Sequence, residues 1–393
     1  MADEIFRNDG YQSEFEAHIV SVKGDEVVLD CTAFYPGGGG QVCDTGAING
    51  CRVTEVFYRG DEIVHRVPEP KGMDVGARVW CSVDWDRRYD LMMGHTGEHL
   101  LFSSLKRQCE DLAITKIYIS PESKYVIVNH DLEWPQIAKA LEFANCAIRD
   151  NHAVTKSIMD RDDPDLEKVR IKKERIPEGE EISVVAIGDI DLSACSGVHV
   201  METAELEMIT VTRKVSAGKD GVTIEFEVGH KAKVAANANA MLAMEIVDSI
   251  GCKASDSPKA VANSRKEAEA SRKALKEATR VILDSIPAEQ LGGIPVQVCV
   301  VPGGDRNIMT EHAEAVKSSG GVAAYISAGE TLSAMVASGD KRVDCKKVLS
   351  DVLAQFGGRG GGKPDFAQGG APDASKAAEM AEAFRKAVAG ALS

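Results

Sequence analysis

The chain has 393 residues, 44% of them hydrophobic, and this length predicts two or three domains. Its 61 acidic residues outnumber the 46 basic ones, and the net charge of −15 opposes diffuse, charge-driven binding to nucleic acid while still allowing a local basic face. We expect no membrane segment, because no run approaches about eighteen apolar residues. The ten scattered cysteines are expected to be reduced, and the polar amino terminus MADEIFRNDG favours a cytoplasmic location.

The first ninety residues are expected to form a small β-rich unit, a barrel or a sandwich. Turn formers such as Lys23-Gly24-Asp25 separate the short alternating runs FEAHIVSV, DEVVLD, CRVTEVFYR, EIVHRV and RVWCSVDW. Within this region lies FYPGGGGQVCDTG, whose loop is formed by Gly37, Gly38, Gly39 and Gly40. Because these residues lack a Cβ atom, the loop either makes a tight turn or lets a ligand approach the main chain closely.

A helix is predicted from Arg87, because apolar residues together with His95 and His99 recur at intervals of three and four. A second helix is predicted over residues 134–149. The expected strands of this region are TKIYIS, KYVIVNH, VTKSIM, EISVVAI, EMITVTRKV and GVTIEFEV. Their alternation with helices predicts an α/β layer with a mainly antiparallel sheet.

Two segments, HTGEH at residues 95–99 and CSGVH at residues 195–199, each place two metal-capable side chains four residues apart. Three of the nine histidines of the chain fall in them, although two histidines at helical spacing also arise by chance. Together the segments offer His95, His99, Cys195 and His199. A soft sulfur among nitrogens in a near-tetrahedral set favours Zn²⁺ over Mg²⁺ or Ca²⁺.

The last third of the chain changes composition. Residues 231–283 are rich in Ala, Glu and Lys and predict an antiparallel pair of long helices. IPVQVCVV, GGVAAYIS and TLSAMVAS are typical of buried strands, and GGRGGGKPDFAQGG predicts a glycine-rich loop before a terminal amphipathic helix.

The predicted fold class is α/β (α+β) with four domains. These are a glycine-motif β-barrel at residues 1–90, a zinc-binding α/β domain at 91–229, a helical hairpin at 230–288, and a carboxy-terminal α/β domain with a glycine-rich loop at 289–393.

Two basic clusters are candidates for a local nucleic-acid face, with an ordinary solvated surface as the alternative for each. The clusters consist of Lys168, Arg170, Lys172, Lys173 and Arg175, and of Arg213, Lys214 and Lys219.

Taken in order, FYPGGGGQVCDTG, HTGEHLL, CSGVH and GGRGGGKPDFAQGG make the chain resemble the alanyl-tRNA editing proteins called AlaX. More closely, it resembles the long form, whose carboxy-terminal domain is like that of alanyl-tRNA synthetase (DHHA1-like or C-Ala-like). The resemblance covers nearly the whole chain. It implies a free-standing, trans-editing hydrolase that removes serine or glycine from mischarged tRNA(Ala), with Zn²⁺ as its cofactor.

The resemblance also implies roles for individual residues. His95, His99, Cys195 and His199 correspond to zinc ligands, and the glycine loop with Gln41 corresponds to the border of the aminoacyl pocket. Thr115 is expected to match a threonine that contacts the serine hydroxyl. Glu98 is a third candidate for a catalytic residue beside Gln41 and Thr115, although relatives often carry a neutral residue at this position.

For the carboxy-terminal domain, the resemblance implies oligomerisation, which we expect to be a homodimer through the helical pair, and contact with tRNA. The candidate contact residues are Arg359, Lys363, Phe366 and Gln368, because cationic side chains bind phosphates and an aromatic ring stacks on a base. The alternative is that Phe366 fills a core and the glycines only turn the chain.

Two other functions fit parts of this pattern. HTGEH also matches HxxEH, the inverted signature of zinc peptidases, in which Glu98 would be the general base. A non-enzymatic alternative treats the zinc as a structural clasp in a tRNA-binding protein. Four protein ligands are typical of a structural zinc site, whereas a catalytic zinc usually has three and an open position. The sequence leaves open how a water would reach the ion.

Overall fold

The computed structural model describes residues 2–171 and 181–393, which fold into two compact units, Met1–Glu245 and Ile246–Ser393. The first unit contains three antiparallel sheets and a two-stranded parallel ladder, and the second contains one six-stranded mixed sheet. The predicted mixed α/β class is confirmed. The division into four domains at the predicted boundaries stays a prediction.

A seven-stranded antiparallel sheet dominates the amino-terminal part. The elements here are β1 (Asp3–Glu4), α1 (Ile5–Asn8), β2 (Glu14–Lys23), β3 (Glu26–Leu29), β4 (Cys31–Thr32), β5 (Gly46–Ile48), β6 (Cys51–Val53), β7 (Glu55–Arg59), β8 (Glu62–Arg66) and β9 (Arg78–Val83). The strand order is β6-β5-β9-β2-β3-β8-β7.

The long strand β2 joins the two halves of this sheet. Its first half pairs with β9 and its second half with β3, and a register irregularity follows Ile19. Phe15, Ala17 and Ile19 alternate toward the core, as an amphipathic strand requires. The described strand pairs leave β6 and β7 as the two edges of a near-barrel sheet, so the predicted barrel is confirmed in part.

The middle of the chain carries two helices and two smaller antiparallel sheets. Its elements are α2 (Trp85–Lys106), β10 (Ile114–Ile119), β11 (Lys124–Val128), α3 (Trp134–Asp150), β12 (Val154–Met159), β13 (Ile182–Ile187), β14 (Asp191–Ala194), β15 (Ile209–Ser216) and β16 (Val222–Val228). The four-stranded sheet has the order β10-β11-β16-β15, and the three-stranded sheet has the order β12-β13-β14. The prediction of antiparallel strands beside two helices is confirmed.

The expected pair of long helices is present as α4 (Gly229–Ile250) and α5 (Ser257–Asp284), and the boundary between the two units falls within α4. The second unit continues with β17 (Glu289–Leu291), β18 (Ile294–Pro302), α6 (Arg306–Ser318), β19 (Val322–Ala328), β20 (Leu332–Ser338), α7 (Cys345–Gln355), β21 (Arg359–Lys363), β22 (Phe366–Ala371) and α8 (Ala377–Leu392). Its sheet has the order β17-β18-β19-β20-β22-β21.

The prediction of a glycine-rich loop near residue 360 was wrong, because β21 and β22 form an antiparallel hairpin at the edge of this sheet. The glycines of this hairpin allow a neighbouring helix to pack closely against it. A Cβ atom on Gly360 would lie 2.7 Å from Leu349 Cδ2, and one on Gly369 would lie 2.5 Å from Leu353 Cδ1. Both leucines belong to α7, so the hairpin needs glycine where this helix covers it.

The basic clusters predicted from the sequence are largely paired where the structure describes them. Lys168 binds Asp165, Arg213 lies 3.8 Å from Glu225, and Lys214 binds Asp131. Lys219 is exposed beside β15, and Arg170 lies at the candidate site treated below. Lys172, Lys173 and Arg175 lie outside the described residues. Among the helices that are described, none is long and apolar enough to cross a membrane.

Candidate metal centre

Helix α2 carries two of the candidate ligands in a buried setting. His95 and His99 lie one turn apart with ring centroids separated by 5.3 Å, and both are nearly inaccessible to solvent. Two glycines allow other strands to approach this stretch of helix. A Cβ atom on Gly94 would lie 2.8 Å from Lys124 Cε, and one on Gly97 would lie 2.5 Å from Val228 Cγ1. These two glycines therefore let the helix pack closely against the four-stranded sheet.

The segment after β14 brings the other two ligands to the helix. The Sγ atom of Cys195 lies 3.4 Å from His95 Nε2 and 3.3 Å from His199 Nε2. One ligand atom from each of these residues and from His99 lie within 4.8 Å of one another. Gly197 permits this approach, because a Cβ atom there would lie 2.3 Å from His95 Cε1. The structure thus brings all four predicted ligands to one point.

Each imidazole is oriented by a hydrogen bond at its outer nitrogen. The Nδ1 atom of His95 lies 2.7 Å from Gln41 Oε1, that of His99 lies 2.8 Å from Asp191 Oδ2, and that of His199 lies 3.1 Å from Thr96 Oγ1. In metal sites such partners fix the tautomer and leave Nε2 free for the ion.

Among these three partners, Asp191 itself contacts several further polar side chains. It accepts hydrogen bonds from Ser103 and Ser193, each at 2.6 Å, and Arg170 lies 3.3 Å away. Burial opposes ionisation, but the hydrogen bond from His99 and the charge of Arg170 hold the pKa of Asp191 below its usual range. The Asp191 carboxylate therefore stays ionised beside the His99 imidazole.

The environment of Cys195 also favours the thiolate form, which binds metal cations. Burial disfavours the thiolate, but the neighbouring His95 and His199 hold the pKa of Cys195 well below the usual range of a thiol. Three imidazole nitrogens and one thiolate, with outer hydrogen bonds in place, are a donor set that fits Zn²⁺.

The glycine loop borders this centre. Gly37, Gly38, Gly39 and Gly40 all have positive φ angles, between 60° and 142°. The loop is tied to β10, because Ile119 N–H donates to the carbonyl of Gly40 at 2.9 Å, and a Cβ atom on Gly40 would lie 2.6 Å from the carbonyl oxygen of Ile117. Gln41 is the next residue after Gly40, and the conformation of the loop places its side-chain amide beside His95.

Two adjoining cavities lie at the centre. A small one of about 170 Å³ is lined by His95, His99 and Cys195 together with Tyr35, Glu98 and other residues. A wider one of about 600 Å³ has apolar walls that include Phe102 and Leu112 and basic side chains at Lys106, Lys116 and Arg170. Four residues line both cavities, namely Gly39, Ile117, Arg170 and Ala194.

The two other candidate catalytic residues, Glu98 and Thr115, line different cavities. Glu98 is fully buried and lines the small cavity, whereas Thr115 lines the wider one. The Thr115 hydroxyl lies 3.1 Å from the backbone carbonyls of Ile127 and Asp220, and its contact with a serine substrate stays a prediction.

In the second unit, Arg359 and Lys363 are exposed on β21, as contact with a phosphate would require. Phe366 packs beside buried residues such as Tyr325 and Leu283, and Gln368 accepts a hydrogen bond from Arg306 at 2.7 Å. Phe366 thus contributes to a core, as the alternative interpretation expected. The tRNA contacts themselves stay predictions.

Sequence reasoning missed Asp191, Ser193 and Thr96. A signal for two of them was present, because Asp191, Ser193 and Cys195 occupy alternate positions along DLSAC. Alternate residues of a strand share one face, so the strand could have been predicted to direct all three side chains to the metal centre. Thr96 offered no such signal, since it lies between the ligands on a helix.

Comparison with known families gives three matches along the chain. Residues 6–87 match class II (A) tRNA synthetases, residues 182–223 match the threonyl and alanyl tRNA synthetase second additional domain, and residues 293–390 match the DHHA1 domain. The second match contains Cys195 and His199.

Individual proteins similar to this chain include a ligase and an editing protein. The alanine–tRNA ligase of Methanoregula boonei is 30% identical over 93% of this chain and 41% of the ligase. The alanyl-tRNA editing protein AlaX-L of Pyrococcus horikoshii is 34% identical over 59% of each chain. The C-Ala domain of Aquifex aeolicus alanyl-tRNA synthetase covers 26% of this chain and 97% of its own length, with 21% identity and a TM-score of 0.24. The chain spans less than half the length of the ligase that it matches.

Proposed function

We propose that this chain, which is similar to the alanyl-tRNA editing protein AlaX-L and to alanine–tRNA ligases, deacylates mischarged tRNA(Ala) at a zinc site. The substrates are tRNA(Ala) carrying serine or glycine. The observation that carries the proposal is the convergence of His95, His99, Cys195 and His199 on one point, where the first three also line a small cavity.

The reaction is hydrolysis of the ester between an amino acid and the terminal ribose. When bound, Zn²⁺ supplies a Lewis acid that polarises an ester carbonyl and acidifies water. Gln41, Asp191 and Thr96 orient the imidazoles before the substrate binds, which limits their reorganisation during turnover.

The small cavity has room for the proposed seryl or glycyl group. About 170 Å³ accommodates a seryl or glycyl group, and its wall includes the hydroxyl-bearing residues Tyr35, Ser193 and Ser196. A site with hydrogen-bonding groups for the serine hydroxyl would spare alanine, because alanine would leave those buried groups unpaired. The adjoining wider cavity offers apolar surface for a base and cationic side chains for phosphates.

The proposal extends to partners. Apolar side chains are exposed on both long helices, including Met241 and Leu242 of α4 and Val261 and Leu275 of α5. Burying such a surface against a second copy is favourable, so we propose a homodimer through α4 and α5. In the second unit, Arg359 and Lys363 are proposed to bind tRNA phosphates.

Zinc removal tests the proposed role of the metal. We expect chelation to abolish serine release from Ser-tRNA(Ala), and added Zn²⁺ but not Mg²⁺ to restore it, because a thiolate-imidazole set prefers Zn²⁺. Circular dichroism of the stripped protein is the companion measurement. Release of serine at an unchanged rate after complete zinc removal would refute the proposal, and loss of the fold on chelation would support the structural-clasp alternative.

One observation favours a second function. Glu98 lies beside the two histidines of α2 in the same cavity, as the general base of an HxxEH peptidase would. A peptidase of that kind does not require Cys195, His199 or the glycine loop with Gln41, all of which complete this centre. The deacylase therefore accounts for more of the site.

A further inference from the structure

Glu98 is a buried acid without a hydrogen-bond partner among the described residues. Its side chain is 0% exposed, and neither carboxylate oxygen has a hydrogen-bond partner. The nearest cationic candidate is His99 Nε2 at 3.8 Å from Oε2, which is beyond hydrogen-bonding distance. Burying an unpaired carboxylate is costly, so we expect its partner to come from outside the chain.

The position of Glu98 determines where such a partner would sit. Glu98 follows His95 by three residues on α2, so both side chains project from one face of the helix. Both line the small cavity of about 170 Å³, together with His99 and Cys195. A group that pairs with Glu98 therefore lies beside the candidate zinc ligands.

The charged side chains around this cavity leave the hydrogen-bonding capacity of Glu98 unused. Arg170 is the one basic side chain, histidines aside, among the residues that line it. It pairs with Asp191 and lies over the Phe102 ring at 4.8 Å, while its buried Nε has no hydrogen-bond partner. A divalent ion held by one thiolate and three neutral imidazoles leaves a net positive centre, which would repel a cationic substrate. The Glu98 carboxylate offsets that charge on the cavity wall.

We propose that Glu98 binds the α-ammonium group of the aminoacyl ester. This inference rests on the proposed deacylase function, whose substrates all carry a free α-ammonium next to the ester carbonyl. An ammonium offers three donors to the two unpaired oxygens of Glu98, and anchoring it would orient the carbonyl toward the metal centre. An acyl group without the amine would leave Glu98 buried and unpaired, so the same contact selects for aminoacyl groups.

Binding of two non-hydrolysable probes to the zinc-loaded full chain tests this assignment. Both probes carry a seryl-like group in amide linkage to the 3′ position of 3′-amino-3′-deoxyadenosine. One retains the α-ammonium and the other has a hydroxyl in its place. Titration calorimetry compares the wild type with Glu98→Gln, which keeps the shape of the side chain without its charge. The matched control is Asp86→Asn, an exposed acid in the first turn of the same helix.

We expect the wild type and Asp86→Asn to bind the ammonium probe at least tenfold more tightly than the hydroxyl probe, and Glu98→Gln to bind the two alike. Zinc content should be equal in all three proteins. Persistence of the preference in Glu98→Gln, absence of the preference or of all binding in the wild type, or loss of zinc from Glu98→Gln would each overturn the assignment. Hydrolysis of Ser-tRNA(Ala) by the wild type, measured separately, reports on the proposed function itself.

Discussion

Replacing Cys195 by alanine is expected to lower serine release from Ser-tRNA(Ala) at least about 100-fold while leaving the protein folded. Removal of a hydrogen-bond partner of a metal ligand already costs about 10–100-fold in metal affinity or activity, and here a ligand itself is lost. The thiolate is the one anionic group of the four candidate ligands, so its loss leaves three neutral imidazoles to hold the ion. The measurements are the initial rate of deacylation and the zinc content of the purified protein.

The matched control is Cys146→Ala, which removes a thiol from α3, away from the residues that line the small cavity. This variant should keep its zinc and its rate. A Cys195→Ala protein that deacylates at the wild-type rate would show that the centre described here does not perform the reaction.

The second large effect is expected on stability, from Arg88→Met. Arg88 and Asp44 are both 0% exposed and form an ion pair, with Arg88 Nε 3.0 Å from Asp44 Oδ2. Arg88 also donates to the carbonyls of Gly10 and Ala33, and Asp44 accepts from Tyr35 N–H at 2.7 Å. Breaking a buried pair by removing one partner costs about 3–5 kcal/mol, because the other charge stays buried.

This pair also joins α2 to the wall of the small cavity, since Tyr35 lines that cavity. Chemical denaturation measures the free energy of unfolding of the variant. The control is Arg52→Met, which breaks an exposed pair with Asp84 and should cost about 1 kcal/mol or less. A loss of stability no larger for Arg88→Met than for Arg52→Met would refute the role given to the buried pair.

Some elements were predictable because local signals coincided with the tertiary fold. Helix α3 was expected over residues 134–149 and spans Trp134–Asp150. It begins after Glu133, whose side chain forms a capping box with Gln136, and it ends at Asn151 in a left-handed conformation with φ 55°. Apolar periodicity and both helix ends therefore agreed, and the boundary was accurate to one residue.

Other elements depended on contacts that the sequence does not display. The run CRVTEVFYR was predicted as one strand but forms β6 and β7 on either side of Thr54, at opposite edges of the sheet. The glycines of GGRGGGKPDFAQGG were interpreted as a loop, because nothing local indicates that Leu349 and Leu353 of α7 would pack against them.

The sequence predicted the four candidate metal ligands, but it did not predict the contacts of the residues around them. The spacing of HTGEH and CSGVH indicated four metal-capable residues, and the structure brings them together. The resemblance to the alanyl-tRNA editing family is confirmed by the comparisons. The unpaired state of Glu98 and the connections of Asp191 were not predictable, because both depend on which groups the fold places nearby.

The most direct test of the account is the parallel deacylation of Ser-tRNA(Ala) and Ala-tRNA(Ala) by the zinc-loaded chain, with an unrelated peptide as a third substrate. The account predicts rapid release of serine, little release of alanine and no cleavage of the peptide. Cleavage of the peptide without release of serine would contradict it and favour the peptidase, and equal release of serine and alanine would contradict the proposed selectivity.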